Sequence, residues 1–161
     1  MVLTQIIILI VLIILSAFFS GIETALVSLN MIKVRALVKQ KKRGSKALFR
    51  LKQDSHKMII TILIGNNLVN IGAASFATVV FTQIFGSSGV GIATGVMTFL
   101  ILVFGEITPK TLASQNAEKV SLMVAKPVEV LSYVLSPLVY IFGAISKLIT
   151  NLFGGDKEKL S

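Results

Sequence analysis

Glu106 stands in Phe104-Gly105-Glu106-Ile107-Thr108-Pro109-Lys110, directly after a long uncharged stretch, with a glycine before it and a proline three residues on. A carboxylate beside a helix break at or near hydrocarbon is expensive, and its usual uses are an ion pathway, a proton relay or a buried pair. Glu23, in Phe19-Ser20-Gly21-Ile22-Glu23-Thr24-Ala25, repeats that chemistry earlier in the chain. Between them, Gly65-Asn66-Asn67-Leu68-Val69-Asn70 supplies three carboxamides. Asn66 and Asn70 are four apart and share a helix face; Asn67 and Asn70, three apart, nearly share it.

These groups are all hard oxygen donors: carboxylate, amide carbonyl, the hydroxyls of Ser20, Thr24 and Thr108, and any backbone carbonyl freed near Gly21 or over Gly105–Pro109. Such a set suits Mg²⁺, Ca²⁺, Mn²⁺ or Na⁺ rather than Zn²⁺ or Cu⁺. The chain has no cysteine, and its one histidine, His56, lies in a basic segment away from these residues. The blander reading is that the asparagines join helices by hydrogen bonds worth roughly 0.6 kcal/mol each. For a single Asn that suffices; three of them alongside two acids favour an ion site.

Apolar spans must position these groups. The 161 residues are 54% hydrophobic, with no charged side chain from Met1 to Ile22 or from Met58 to Gly105. The second stretch is long enough for two crossings at about 20 residues each. Lipid offers backbone groups no hydrogen bonds, so the spans should be helical. The expected fold is an all-α membrane protein, with spans over about 3–29, 58–85 and 90–107, the last breaking around Pro109. A signal peptide does not fit: no positive region precedes the first apolar run, and no cleavage-like site leads into soluble sequence.

Ten of the sixteen Lys and Arg fall between Lys33 and Lys57, against one acid, Asp54. Beside membrane spans this reads as a cytoplasmic segment facing anionic headgroups, not as a nucleic-acid surface. It places the N-terminus outside and, after three crossings, the C-terminus in the cytoplasm. Lys33 to Ser55 reads as an amphipathic helix with Val34, Leu37, Val38, Leu48 and Leu51 on its apolar side, bent near Gly44. Residues of about 112–153, divided by Pro127 and Pro137 and marked by charges, read as a juxtamembrane belt of helices along the inner interface rather than a fourth crossing. Residues 154–161 read as a linker towards a cytoplasmic module.

Three motifs in order, Ser16-Ala17-Phe18-Phe19-Ser20-Gly21-Ile22-Glu23-Thr24-Ala25-Leu26, Gly65-Asn66-Asn67 with Asn70, and Gly105-Glu106-Ile107-Thr108-Pro109-Lys110, resemble the transmembrane domain of the CorC/CNNM magnesium transporters over residues 1–153. The resemblance implies a homodimer with three transmembrane helices per protomer. It also implies a largely dehydrated Mg²⁺ between the helices and export driven by Na⁺ entry. Carried over, Ser20 gives its hydroxyl, Asn66, Asn67 and Asn70 are amide ligands, Gly105 offers its carbonyl and Glu106 its carboxylate. Gly21 permits a distorted turn, Pro109 ends the third span, Glu23 takes a Na⁺ or supporting role beside Thr24, and Lys110 makes an inner salt bridge. The nucleotide-binding CBS domains of that family have no counterpart in this sequence.

Gly91-Ile92-Ala93-Thr94-Gly95 is a GxxxG match, and Ala73 with Ala77 a small-xxx-small pair; either could serve a dimer or packing within one protomer. The leading expectation is Na⁺-coupled Mg²⁺ export in the cell membrane. Its rival is a Mg²⁺-sensing membrane regulator of another transporter. An enzyme is not expected, because no span offers a nucleophile with a base or a histidine metal site.

Overall fold

The structure, a computed structural model, describes residues 2–152 and is helical throughout them, with no strand among the described residues. The tail expected over 154–161 lies outside that range. Helix α1, Val2–Ser28, is about 40 Å long at 1.5 Å per residue. Along it Leu3, Ile7, Ile10, Ile14 and Phe18 are exposed. An apolar surface that continuous has lipid as its natural solvent.

A second apolar stretch begins with α4, Ser55–Phe85, and is folded back on itself. Gly86 takes a left-handed φ of 64°, a 3₁₀ turn over Gly86–Ser88 follows, and Gly89 sits against the backbone of Phe81 and Thr82. The returning rod is α5, Gly89–Leu100, then a π-helical segment, Ile101–Ile107, then α6, Thr108–Gln115. Leu9, Ala73, Ala77 and Met97 form one buried cluster that ties α1, α4 and α5 together. Ala73 and Ala77 are therefore used within the protomer. A Cβ added at Gly91 or Gly95 would meet nothing within 4 Å.

The basic segment is two helices rather than one. Asn30 caps α2, Met31–Lys39, by accepting the Lys33 N–H at 2.8 Å; α3, Ser45–Gln53, follows. Lys41 (φ 54°) and Gly44 (φ 85°) turn the chain between them. Val34, Leu37, Leu48 and Leu51 are buried with Leu26, Met58, Ile62, Val124 and Val128 in the main core, while Val38 is half-buried. The core thus sits at the basic end of the helices, where Lys52 Nζ donates to the Leu26 carbonyl of α1 at 2.9 Å.

Helices α7, Ala117–Val134, and α8, Ser136–Leu152, meet at 76°. Pro127 does not divide the segment as expected: α7 runs through it, and the break falls at Leu135. Pro137 lies in the first turn of α8, where a missing N–H costs nothing. Ion pairs fasten α7 to the basic helices. Glu118 meets Lys42 Nζ at 2.5 Å and Lys33 Nζ at 3.1 Å, and Arg50 reaches Glu129 through Nε and Nη2. The hydrogen bond from Lys42, then that from Lys33, holds the Glu118 carboxyl below its ordinary range. Exposed pairs of this kind fix orientation more than they stabilise.

Candidate cation site

The third motif does not break the rod; it rewinds it. Pro109 has no N–H, so the Gly105 carbonyl four residues back has no α-helical donor, and a proline ring would crowd that carbonyl in an ordinary helix. Over Ile101–Ile107 the chain takes π winding instead, with the Thr108 N–H reaching the Val103 carbonyl five residues back. The expectation that Pro109 ends the helix is corrected: residues 89–115 form one helical rod. Winding of this kind is often found at functional sites.

Glycine at 105 also lets α1 come close. A Cβ built there would lie 2.5 Å from Ser16 Oγ and 3.3 Å from Ser16 Cβ. With only hydrogen in that place, Ser16 Oγ donates to the freed Gly105 carbonyl at 3.5 Å. Gly65 plays the same part on α4, where any added Cβ would run into the Phe19 ring. Gly21 serves differently from expectation. It lies inside the unbroken α1 and makes no distorted turn; its Cβ position is 3.6 Å from the Pro109 carbonyl, so it marks where α1 touches α6.

These contacts set the register of the site. Ser16 and Ser20 share one face of α1, four apart, as Asn66 and Asn70 share one face of α4. Phe19 against Gly65 puts Ser20 and Asn66 level on facing helices, because α1 runs towards the basic segment and α4 away from it. One turn further out, Asn70 Nδ2 donates to Glu106 Oε1 at 3.2 Å, while Ser16 holds Gly105. Glu106 is half-buried, Ser20 fully buried and Asn66 7% exposed.

Three of these buried side chains have an oxygen with no hydrogen-bond partner: Ser20 Oγ, Asn66 Oδ1 and Asn70 Oδ1. Asn70 commits its donor to Glu106 and turns its acceptor inward; Ser16 commits its proton to Gly105. That leaves two amide oxygens, which can only accept, and the Ser20 hydroxyl, which can turn its proton away from a cation. A buried unsatisfied polar group costs about 1–3 kcal/mol; a fourth, Ser121 Oγ, stands alone on α7, whereas these three lie on the two packed helices α1 and α4. A cation satisfies acceptors without needing a donor. Among the described residues no three His, Cys, Asp or Glu side chains gather, so such a cation would rest on one carboxylate and neutral oxygens.

Other expected residues fall outside this set. Asn67 is exposed and donates Nδ2 to the Leu63 carbonyl of its own helix at 2.8 Å, since one residue on from Asn66 is about 100° round the helix. It does not join the cluster. Thr108 is exposed. Thr24 is half-buried, and its carbonyl accepts from Ser28 Oγ at 2.6 Å. Glu23 and Lys110 pair across α1 and α6 at 3.9 Å, towards the basic end. Ser16 is the residue that motif reading missed; its spacing of four from Ser20 was the available signal.

Comparison with known proteins shows the family. A family model described as the cyclin M (CNNM) transmembrane N-terminal domain matches residues 7–161. A UPF0053 protein of Haemophilus influenzae is 43% identical over 151 residues, covering 94% of this chain and 36% of the relative. The UPF0053 inner membrane protein YfjD of Escherichia coli K12 is 41% identical over 140 residues, covering 87% of this chain and 33% of the relative. A chloroplastic DUF21 domain-containing protein of Arabidopsis thaliana is 44% identical over 141 residues, 87% of this chain and 21% of the relative. The chain therefore spans about a third or less of the length of these relatives. With its apolar helices and a family match along nearly its whole length, the chain belongs to the CNNM (cyclin M) transmembrane-domain family of membrane proteins.

Proposed function

We propose that this domain carries Mg²⁺ across the membrane as a Na⁺-coupled exporter, with Ser20, Asn66, Asn70, the Gly105 carbonyl and Glu106 as its ligands. The observation that carries the reading is three buried oxygens without partners on the packed helices α1 and α4, one of them on Asn70, whose amide donates to the Glu106 carboxylate. Hard neutral oxygens with a single negative charge hold a divalent ion without neutralising it. Binding is then strong enough to replace part of the hydration shell and weak enough to release, as conduction requires. Magnesium as the ion and Na⁺ as its driver come from the family resemblance. Glu23, paired with Lys110, is the candidate for a supporting or Na⁺-linked role.

The proposed topology has three crossings, α1, α4 and the rod from α5 to α6, with the N-terminus outside and the C-terminus in the cytoplasm. The fold-back at Gly86 supports it, because a straight helix over the 61 residues from Ser55 to Gln115 would be about 90 Å long, three times the hydrocarbon thickness. Helices α7 and α8 then form the inner belt.

The test is flux into vesicles containing only the purified chain and a Mg²⁺-sensitive dye. Transport should require an opposed Na⁺ gradient and fall at least about tenfold in Asn70→Ala, which removes an acceptor and the donor that orients Glu106. Flux unchanged in Asn70→Ala would remove the support for this reading. Mg²⁺ binding without flux would favour the rival, a Mg²⁺-responsive regulator acting through the remainder of a longer protein.

A homodimer belongs to the same proposal. Gly91 and Gly95 are open within the protomer, and GxxxG faces bring helices together in lipid. Replacing both by Leu is expected to convert dimer to monomer in light scattering of the detergent-solubilised protein, with little change in protomer melting. A dimer that persists in the double variant places the interface elsewhere.

A further inference from the structure

A cavity of about 670 Å³ opens between the first turns of α4 and the length of α8, away from the cation site. Its lining includes the apolar Ile60, Val139, Gly143 and Ala144 and the two lysines Lys57 and Lys147. Neither ammonium has a salt-bridge partner among the described residues. Lys57 Nζ sits 5.0 Å from the centroid of the Tyr133 ring, which holds a cation in place without neutralising it. Asp54 is the one acid at the rim, and its Oδ1 is engaged by the backbone N–H of Lys57 at 3.0 Å, capping α4. His56 completes that rim.

The chemistry is of two kinds. Two lysines, Lys57 and Lys147, line the same cavity as the apolar wall of Ile60, Val139, Gly143 and Ala144. A free phosphate would use the cations and leave the apolar wall unexplained. A neutral lipid would use the wall and leave the cations unpaired. Basic pockets between membrane helices on the cytoplasmic side suit anionic lipid headgroups, and this one lies at the end of α4 that joins the basic helices.

We infer that the cavity between α4 and α8 is a seat for one anionic phospholipid, its phosphodiester between Lys57 and Lys147 and an acyl chain along Ile60, Gly143 and Ala144. The inference rests on the membrane reading of the chain and not on magnesium transport. Occupation would tie α8, which exposes apolar residues on most of its surface, to the foot of α4. It would make the position of the belt depend on the lipid of the inner leaflet.

Native mass spectrometry of the detergent-purified chain, without Mg²⁺ or Na⁺ and with added phosphatidylglycerol or phosphatidylcholine, tests this directly. One phosphatidylglycerol should be retained per protomer, and phosphatidylcholine should not. The double variant Lys57→Gln/Lys147→Gln should lose retention by about tenfold or more. Ala144→Phe, which crowds the apolar wall and leaves the charge alone, should lose it as well. Lys39→Gln/Lys46→Gln, the same change of charge on the basic helices, should keep it. Equal retention of phosphatidylcholine, displacement by inorganic phosphate, full retention in Ala144→Phe, or equal loss in the Lys39/Lys46 variant would each overturn the proposal. Melting temperatures taken alongside distinguish a lost seat from a lost fold, and Ala144→Phe and the lysine pair probe it from independent sides.

Discussion

Replacing Glu106 by Gln is expected to abolish Mg²⁺ transport while leaving the protein folded. The change keeps the size of the side chain and an oxygen that can still accept from Asn70 Nδ2, the contact seen at 3.2 Å. What disappears is the only negative charge in the ligand set. Loss of a group that merely orients a metal ligand typically costs 10–100-fold in affinity. Loss of the sole anionic donor should exceed that, so Mg²⁺-dependent thermal stabilisation is expected to need at least about a hundredfold more Mg²⁺. The melting temperature without Mg²⁺ should stay level or rise, because a half-buried carboxylate has been exchanged for a neutral amide. Glu106→Asp should fall between, its charge kept but drawn back by one methylene. The reading fails if Glu106→Gln keeps wild-type Mg²⁺ stabilisation and flux. Loss of both through a collapsed melting temperature would instead show Glu106 to be a packing residue.

Much of this arrangement was legible because its signals are local or periodic. Uncharged runs and the block of ten cations mark which residues are helical and which end of the helices is basic. The i, i+4 spacing of Asn66 and Asn70 already selects a face, whereas the i, i+3 spacing of Asn67 and Asn70 left Asn67 open, and only the structure shows its amide turned back to the Leu63 carbonyl. The winding of residues 101–107 was not legible. Proline removes a donor and crowds a carbonyl, but a helix can answer with a kink, a stop or π winding. Here α1 packs against both sides of the problem, Ser16 at Gly105 and Gly21 at Pro109, so the rod stays straight enough to continue. Pro127 shows the same dependence on context, since α7 continues through it with Val124, Ala125 and Val128 buried on either side. The α4–α8 cavity was also beyond sequence reading, because the residues that form it are some ninety positions apart.

The other large effect lies at the turn between the basic helices. Gly44 combines two demands that only glycine meets: a φ of 85°, and a Cβ position that would drive into the Leu122 backbone carbonyl of α7. The left-handed conformation alone costs an L-residue roughly 1–2 kcal/mol, and overpacking against backbone, which cannot swing aside like a side chain, adds about 1–3 kcal/mol. Gly44→Ala is therefore expected to destabilise the protein by about 2–5 kcal/mol, lowering the detergent melting temperature by several degrees or more. Gly72→Ala is the matched control: its Cβ meets nothing within 4 Å, and in mid-helix the exchange should stabilise by about 0.5–1 kcal/mol. If strain at Gly44 is the cause, Gly44→Asn should recover part of the loss, since Asn tolerates left-handed φ although the contact with Leu122 remains. Equal melting of Gly44→Ala and wild type would mean that α7 does not pack on this turn. The link from the basic helices to α7 would then rest on the apolar core around Leu48, Leu51, Val124 and Val128 and on the ion pairs of Glu118 and Glu129. Exposed pairs weaken with salt, so raising the ionic strength of a Gly44→Ala sample should release α7 to proteolysis well before the wild type, in which packing and charge act together.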